Sequence, residues 1–282
     1  MKDALRLSLA VGSGDSGISD GGAGMLQALG ARFIDEHSRE LPVPTGGGAL
    51  VSLKQICFRN IHPRLRYSRQ EDNVQIEAVC NLKNLLCGDR GVARIYGPQK
   101  GATPEQVKVL SLAMETLARL AEHILGCDIS EIPGSGASGG LGTGLLLIGA
   151  RLRARAAAID EYFRLGQVFD YPWDIVFTAE GTIDSQSSKG KMIGEIARRA
   201  RERGVRVVAF AGTINHGAES MYEEGVAAYA SILDCPMTLE DAIQRTSSLL
   251  INTAERTMRM VQIGLSLRSQ QLSLCDTAPI AA

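Results

Sequence analysis

The sequence of 282 residues is 45% hydrophobic and 22% charged, which is typical of a soluble globular protein with one large domain or two smaller ones. Its formal net charge of −1 argues against a basic surface for nucleic acid or for an anionic membrane. The six cysteines form no CxxC pair, and the apolar stretch 145–150 is far shorter than a membrane span. We therefore expect a cytoplasmic protein without a disulfide framework, a zinc site or a membrane helix.

The N-terminal part predicts short elements separated by glycine-rich turns. An apolar run at 5–11 predicts a strand, and the glycine-rich segment 12–24 predicts a turn. The segment 25–29 predicts a short helix that ends at a glycine. Alternating polarity over 74–79 predicts a further strand.

The clearest helix start lies at Thr103, which is followed by proline at the first helical position and glutamine at the third. This is the pattern of a capping box. The apolar spacing that follows predicts a long helix ending at Gly126. After it we expect a glycine-rich loop over 133–144 and an apolar helix from Leu145 onward.

The C-terminal half predicts alternating strands and helices. Apolar runs at 174–178, 205–211 and 227–233 are typical of buried parallel strands, and an amphipathic helix is expected over 191–203. The order strand, helix, strand predicts a Rossmann-like half.

The predicted fold class is α/β, with a Rossmann-like parallel-sheet domain plus a second, mixed α/β domain. The predicted division has a glycine-rich loop and helix at 1–32 and a mixed α/β domain at 33–132. The Rossmann-like domain then covers 133–268, and a disordered tail covers 269–282.

Two loops in the N-terminal part carry groups that suit an anion. The glycines of 19–24 offer backbone N–H groups just before a helix, although a tight turn capped by Asp20 explains them as well. Lys100, in the loop 96–102, precedes a helix and could reach a phosphate, but a solvated lysine is the more common case.

Two later loops carry the other candidate groups. The glycines of 134–142 suggest a phosphate-facing loop, although the Walker pattern is absent. Glu180 and Asp184 follow a predicted strand, where open α/β sheets bind ligands. They could hold Mg²⁺ or orient a hydroxyl group, or they could be plain loop acids.

Together and in this order, these segments resemble the type 1 glycerate kinase family. The resemblance is carried by 20–30, 46–50, 97–105, 133–142, and 180–186 with Gly190-Lys191. It extends from about Leu5 to about Leu265. It implies ATP-dependent phosphorylation of D-glycerate or a related hydroxy acid, with ATP and Mg²⁺. The implied partners are that acid and the nucleotide, with a homodimer as a further expectation.

The resemblance also implies a set of site residues. The positions matched to catalytic roles are Asn81, Lys100 and Asp184. Those matched to substrate or nucleotide binding are Asp20, Gly21, Gly22, Gly134, Gly136, Gly139, Gly140, Glu180, Gln186 and Lys191. The positions matched to metal binding are Glu180 and Asp184.

The sequence departs from the family pattern in ways that bear on activity. The family begins with a strand and a DSFK-like turn that are not found here, which implies an N-terminally truncated and divergent member lacking on the order of a hundred residues. Asn81 and Lys83 stand where the family has acidic residues, and asparagine cannot accept a proton at neutral pH. Three readings stay open: a kinase of glycerate or a similar hydroxy acid, whether fast or slow; a non-catalytic relative that binds a small anion such as a carboxylate, or a partner protein; and an enzyme repurposed to other carboxylate chemistry.

Overall fold

The computed structural model describes residues 7–14, 16–67, 73–185, 187 and 191–276, and only the backbone over 268–276. The chain divides into two compact units, Met1–Phe163 and Arg164–Ala282. The division therefore differs from the predicted one at 132/133. The reason is that the segment after residue 133 adds a helix and a strand to the core and sheet of the first unit.

The strands of the first unit are β1 (Ser8–Gly12), β2 (Arg32–Asp35), β3 (Leu53–Cys57), β4 (Gln75–Cys80) and β5 (Arg151–Ala154). β1, β4 and β5 form a parallel sheet in the order β1-β4-β5, while β2 and β3 form an antiparallel pair. The predicted strands at 5–11 and 74–79 correspond to β1 and β4, although residues 5 and 6 lie outside the described part of the chain.

The helices of the first unit are α1 (Ala23–Ala28), α2 (Val92–Tyr96), α3 (Pro104–Leu125), α4 (Ala137–Leu146) and α5 (Arg155–Phe163). The capping box of α3 is confirmed, because Thr103 Oγ1 accepts the N–H of Gln106 and Gln106 Oε1 accepts the N–H of Thr103. α3 ends at Gly126 in the left-handed conformation, as predicted. Met114 and Leu117 of α3 are fully buried in the core of this unit.

The segment around α4 differs from the prediction. The helix begins at Ala137, within the predicted loop, and it ends at Leu146, where a helix was expected to begin. Near its start, Ser138 and the next two residues have left-handed φ angles of 51°, 72° and 92°. The expected helix does not form because the chain turns at Gly149, where the carbonyl of Leu145 accepts the N–H groups of residues 148 and 150, and β5 follows.

The second unit contains the strands β6 (Ile175–Ile183), β7 (Arg206–Ile214) and β8 (Val226–Ser231) and the helices α6 (Leu165–Val168), α7 (Met192–Glu202), α8 (Ser220–Glu224), α9 (Leu239–Gln244) and α10 (Thr246–Asp276). The strands are parallel in the order β6-β7-β8, which confirms the predicted alternation and the α/β class.

Alternation along β7 explains how both faces of this sheet are covered. Val207 and Ala209 pack with α7 and α8, whereas Val208 and Phe210 pack with Leu249 of α10. Successive side chains of a strand point to opposite faces, so one apolar strand contributes to two cores. The central position of β7 between two parallel neighbours requires this continuous apolar run.

The C-terminal segment and Glu180 also differ from the predictions. α10 continues to Asp276, so the tail predicted to be disordered from 269 is helical as far as the structure describes it. β6 continues to Ile183 because its ladder with β7 pairs Glu180 with Ala211, so Glu180 lies in the strand and not in the loop that follows it. Among the described helices, none has the length and apolar character that crossing a bilayer requires.

Candidate functional site

Asp20 organises the turn before α1. Its Oδ1 accepts the N–H of Gly22 and its Oδ2 accepts the N–H of Gly24, each at 2.9 Å, while its backbone carbonyl accepts the N–H of Ala23. Asp20 is only 5% exposed. These N–H groups are therefore occupied within the protein, so the geometry favours the capped-turn reading of 20–24 over an open cradle for an anion.

The same turn packs backbone to backbone on α4. The N–H of Gly21 donates to the carbonyl of Gly139 at 2.9 Å. A Cβ atom on Gly139 would overlap the carbonyl oxygen of Ile18, and one on Gly22 would lie 2.9 Å from the Cα atom of Gly144. Glycine is required at these positions because side chains would push the two segments apart.

The other glycines matched to nucleotide binding are also packed. The N–H groups of Gly134 and Gly136 both donate to the carbonyl of Asn84 at 3.1 Å, and Gly140 donates to the carbonyl of Gly136. A Cβ atom on Gly134 would lie 2.9 Å from Cys80 Sγ. Backbone packing thus explains these glycines without a ligand, and their role in nucleotide binding stays a prediction.

Lys100 lines a cavity of about 530 Å³ in the first unit. Its Nζ donates to the carbonyl of Ile18 at 2.6 Å and to Ser16 Oγ at 3.0 Å. Burial lowers the pKa of Lys100, and the charge of Asp20 opposes that shift. Lys100 is therefore held against the loop at 16–18 and is not a freely solvated lysine.

Asn81 lies directly after β4, at the carboxyl edge of the sheet of the first unit. Its Oδ1 accepts the N–H of Lys83 at 3.0 Å, and Lys83 itself is exposed. Two serines that were not among the predicted site residues, Ser13 and Ser138, are hydrogen-bonded near this edge. Ser13 follows β1 directly, and its Oγ donates to Ser138 Oγ at 2.8 Å. Nothing in the local sequence distinguished these serines, because their pairing joins segments 125 residues apart.

The second unit brings together Glu180, Asp184 and Lys191. Lys191 Nζ lies 3.8 Å from Glu180 Oε2 and 3.7 Å from Asp184 Oδ1, and it donates to the carbonyl of Thr182 at 3.4 Å. Ser187 Oγ donates to Asp184 Oδ1 at 3.2 Å. The predicted residues therefore form one cluster at the carboxyl end of β6, apart from Gln186, which lies outside the described residues.

The cluster offers the type of ligand that a hard cation prefers. Glu180 and Asp184 both direct carboxylate oxygens at one cation, the Lys191 ammonium, so this position is favourable for positive charge. Mg²⁺ is commonly bound through one or two carboxylates, with phosphate oxygens and water completing its shell. The described residues contain no group of three or more His, Cys, Asp or Glu placed for metal binding. The pair therefore fits a metal ion whose ligands come partly from these two carboxylates and partly from the phosphate oxygens of a nucleotide. It does not fit a metal site made of protein ligands alone.

Comparison with known proteins identifies the family. The sequence model of the glycerate kinase family matches residues 2–262. The chain belongs to the glycerate kinase family. It is 37% identical over 256 residues to a glycerate kinase of Haemophilus influenzae and 31% identical over 259 residues to a glycerate 2-kinase of Escherichia coli. These alignments cover 90% and 92% of this chain and 65% and 66% of the relatives.

A solved structure agrees with this assignment. The chain superimposes with a TM-score of 0.66 and 32% identity on a crystal structure from Salmonella typhimurium LT2 assigned as glycerate kinase 2. The match covers 92% of this chain and 65% of that one. This member of the glycerate kinase family thus spans about 65% of the length of the relatives it matches.

Replacing Lys191 tests the cluster of the second unit. We expect Lys191→Met to lower the free energy of unfolding by about 1 kcal/mol, because two partly buried carboxylates lose their shared cation. The fluorescence of Trp173, the single tryptophan, reports on this unit during urea unfolding. Arg206→Met serves as the control, since Arg206 is an exposed cation of the same unit. Equal midpoints for the two variants would show that the ion pairs contribute nothing.

Proposed function

We propose that this chain carries out the glycerate kinase reaction, the ATP-dependent transfer of a phosphoryl group to D-glycerate or a related hydroxy acid, in the cytoplasm. The observation that carries the proposal is the family match over residues 2–262, which includes Lys100 of the first unit and the acid–lysine cluster of the second. The relatives named glycerate kinase, at 31% to 37% identity, support it.

The described groups supply what phosphoryl transfer requires, namely positioning and neutralisation of negative charge. Lys100 provides a half-buried cation in the first unit, and Lys191 provides one beside the carboxylates of the second. In this proposal Glu180 and Asp184 hold Mg²⁺, which neutralises phosphate oxygens when it is bound. Gln186 and the packed glycines of α4 remain predicted nucleotide contacts, and a homodimer remains a prediction.

A second candidate function is a non-catalytic member that binds a small carboxylate. It is favoured by Asn81, since the carboxamide at this edge of the sheet accepts the N–H of Lys83 and cannot act as a base. An aspartate would accept the same N–H and could also take a proton from an attacking hydroxyl group.

The test measures ADP release with D-glycerate, ATP and Mg²⁺. We expect slow turnover by the unmodified chain and at least a tenfold increase for Asn81→Asp, because general base catalysis commonly contributes about 10²–10⁴-fold. Asn252→Asp is the matched control, since Asn252 is exposed on α10.

The outcomes separate the two candidates. Absence of turnover in both the unmodified chain and Asn81→Asp, together with absence of nucleotide binding by calorimetry, would contradict the kinase proposal. Binding of glycerate without turnover in either protein would support the non-catalytic alternative.

A further inference from the structure

The cavity beside Lys100 has the size of a small-molecule site. Its volume of about 530 Å³ lies within the range of roughly 300–1,000 Å³ that is common for such sites. Its wall is formed by the loop 17–19, by Gly47 and Gly48, by the turn from Gly97 to Ala102, and by the first turns of α3. All of these residues belong to the first unit.

One part of the wall is positive. Lys100 has three ammonium protons, of which the described residues accept two, through Ser16 and the carbonyl of Ile18. The N–H groups of residues 106 and 107 are satisfied by Thr103, but the N–H of Glu105 has no acceptor among the described residues. This N–H lies at the positive end of a 22-residue helix dipole. An ammonium and a helix N-terminus thus line one cavity, which suits a carboxylate.

The rest of the cavity wall contains one acidic side chain and an apolar surface. Among the lining residues that the structure describes, Lys100 and Glu105 are the charged ones, so their charges cancel. Val109 and Leu110 supply apolar surface. A polyphosphate would be repelled by the Glu105 carboxylate and would gain little from this wall. A small molecule with one carboxylate and neighbouring hydroxyl groups matches this wall better, because the Glu105 carboxylate can accept hydrogen bonds from those hydroxyl groups.

Ser19 gives an independent indication of a ligand. It lines the cavity and is only 8% exposed, and within the described chain its Oγ has no hydrogen-bond partner. A buried hydroxyl group without a partner is unfavourable, so such groups are uncommon in native proteins. A change of the Ser19 χ1 rotamer toward the cavity would give this hydroxyl a partner on a bound molecule.

We propose that this cavity is the subsite for the acceptor, in which Lys100 and the N–H of Glu105 bind the carboxylate of a small hydroxy acid. The Glu105 carboxylate accepts a hydroxyl group of that acid, and Ser19 turns to bind it. The proposal rests on the proposed function in one respect, because it identifies the ligand as the molecule that receives the phosphoryl group. It assigns Lys100 to the acceptor and not to the nucleotide.

Calorimetry with the full chain and no nucleotide tests the ligand class. The probes are D-glycerate, lactate with one hydroxyl group fewer, propionate with none, and inorganic phosphate. We expect affinity to fall from D-glycerate through lactate to propionate, and we expect phosphate to bind most weakly. Phosphate binding at least as tight as D-glycerate binding would overturn the proposal.

Variants at the charged residues test the assigned contacts. We expect Lys100→Met to weaken D-glycerate binding at least tenfold, whereas Lys108→Met, an exposed lysine of α3 outside the cavity lining, leaves it unchanged. Glu105→Gln should reduce the preference for D-glycerate over propionate. Glu105 is exposed, so this variant keeps the test valid if Lys100→Met fails to fold. Unchanged affinities in both variants would refute the assignment.

The variant Ser19→Ala distinguishes a role of Ser19 in ligand binding from a purely structural role. Because the variant removes a buried hydroxyl group without a partner, we expect its melting temperature to be unchanged or raised, while D-glycerate binding weakens several-fold. Ser248→Ala, on the surface of α10, is the control for both measurements. A lowered melting temperature with unchanged binding would show that Ser19 is only structural.

Failure of the subsite and failure of the kinase proposal give different results. If ADP release persists and Lys100→Met leaves the KM for D-glycerate unchanged, the subsite is wrong and the kinase proposal stands. If ADP is never released but Lys100→Met and Glu105→Gln alter D-glycerate binding as described, the subsite stands and the kinase proposal fails.

Discussion

Replacing Gly139 with alanine is expected to destabilise the first unit by about 3–5 kcal/mol, which is a large part of the stability of a typical domain. Gly139 has a φ angle of +72°, which costs an L-residue about 1–2 kcal/mol. In addition, the new Cβ atom would overlap the carbonyl oxygen of Ile18. To relieve that overlap, α4 must move away from the turn at Asp20. This movement also breaks the hydrogen bond from the N–H of Gly21 to the carbonyl of Gly139.

Gly46→Ala is the matched control for this prediction. Gly46 has nearly the same φ angle, +68°, but a Cβ atom there would meet no atom within 4 Å. Gly46→Ala should therefore lower the free energy of unfolding only through conformational strain, by about 1–2 kcal/mol. Hydrogen exchange measured by mass spectrometry reports the first unit separately, since it follows peptides from 16–67 and 137–146. Equal loss of protection in the two variants would contradict the packing argument.

Replacing Asp20 with asparagine is expected to cost about 2–4 kcal/mol, again in the first unit. Both carboxylate oxygens of Asp20 accept backbone N–H groups, from Gly22 and Gly24, and the side chain is buried. A carboxamide has one oxygen, so one of these N–H groups would lose its acceptor and face an NH₂ group. Hydrogen bonds to a charged group contribute about 1.5–3 kcal/mol each, and a buried donor without an acceptor adds to the loss.

Asp89→Asn is the control for Asp20→Asn, because Asp89 is exposed. Unfolding by urea, followed by hydrogen exchange in peptides from the first unit, measures both variants. If Asp20→Asn were as stable as the control but bound nucleotide more weakly, the resemblance-based role of Asp20 in binding would be favoured over the turn described here.

Local sequence patterns were sufficient for the elements whose signals lie within one segment. The capping box at Thr103 and the glycine after α3 fixed both ends of that helix, because capping involves residues that are neighbours in sequence. The apolar run of β7 also predicted a central parallel strand, since a strand buried on both faces lacks polar alternation.

The errors occurred where contacts between distant segments decide the structure. The helix expected from Leu145 does not form, because the chain turns at Gly149 and then joins the sheet as β5 beside β4. Glu180 was expected in a loop, but pairing with Ala211 of β7 extends the strand past it. Helix and strand propensity cannot anticipate a pairing partner that lies 31 residues away, as for Glu180 and Ala211, or 74 residues away, as for Arg151 and Glu77.

For this protein, the sequence by itself determined the family, the α/β class and which side chains are candidates for chemistry. Only the tertiary structure decided what those side chains contact. It showed that Asp20 holds its own turn, that Lys191 joins Glu180 to Asp184, and that Ser19 is buried without a partner. Motifs record which residues are present along one segment, whereas hydrogen bonds, burial and cavities depend on the segments that pack against it.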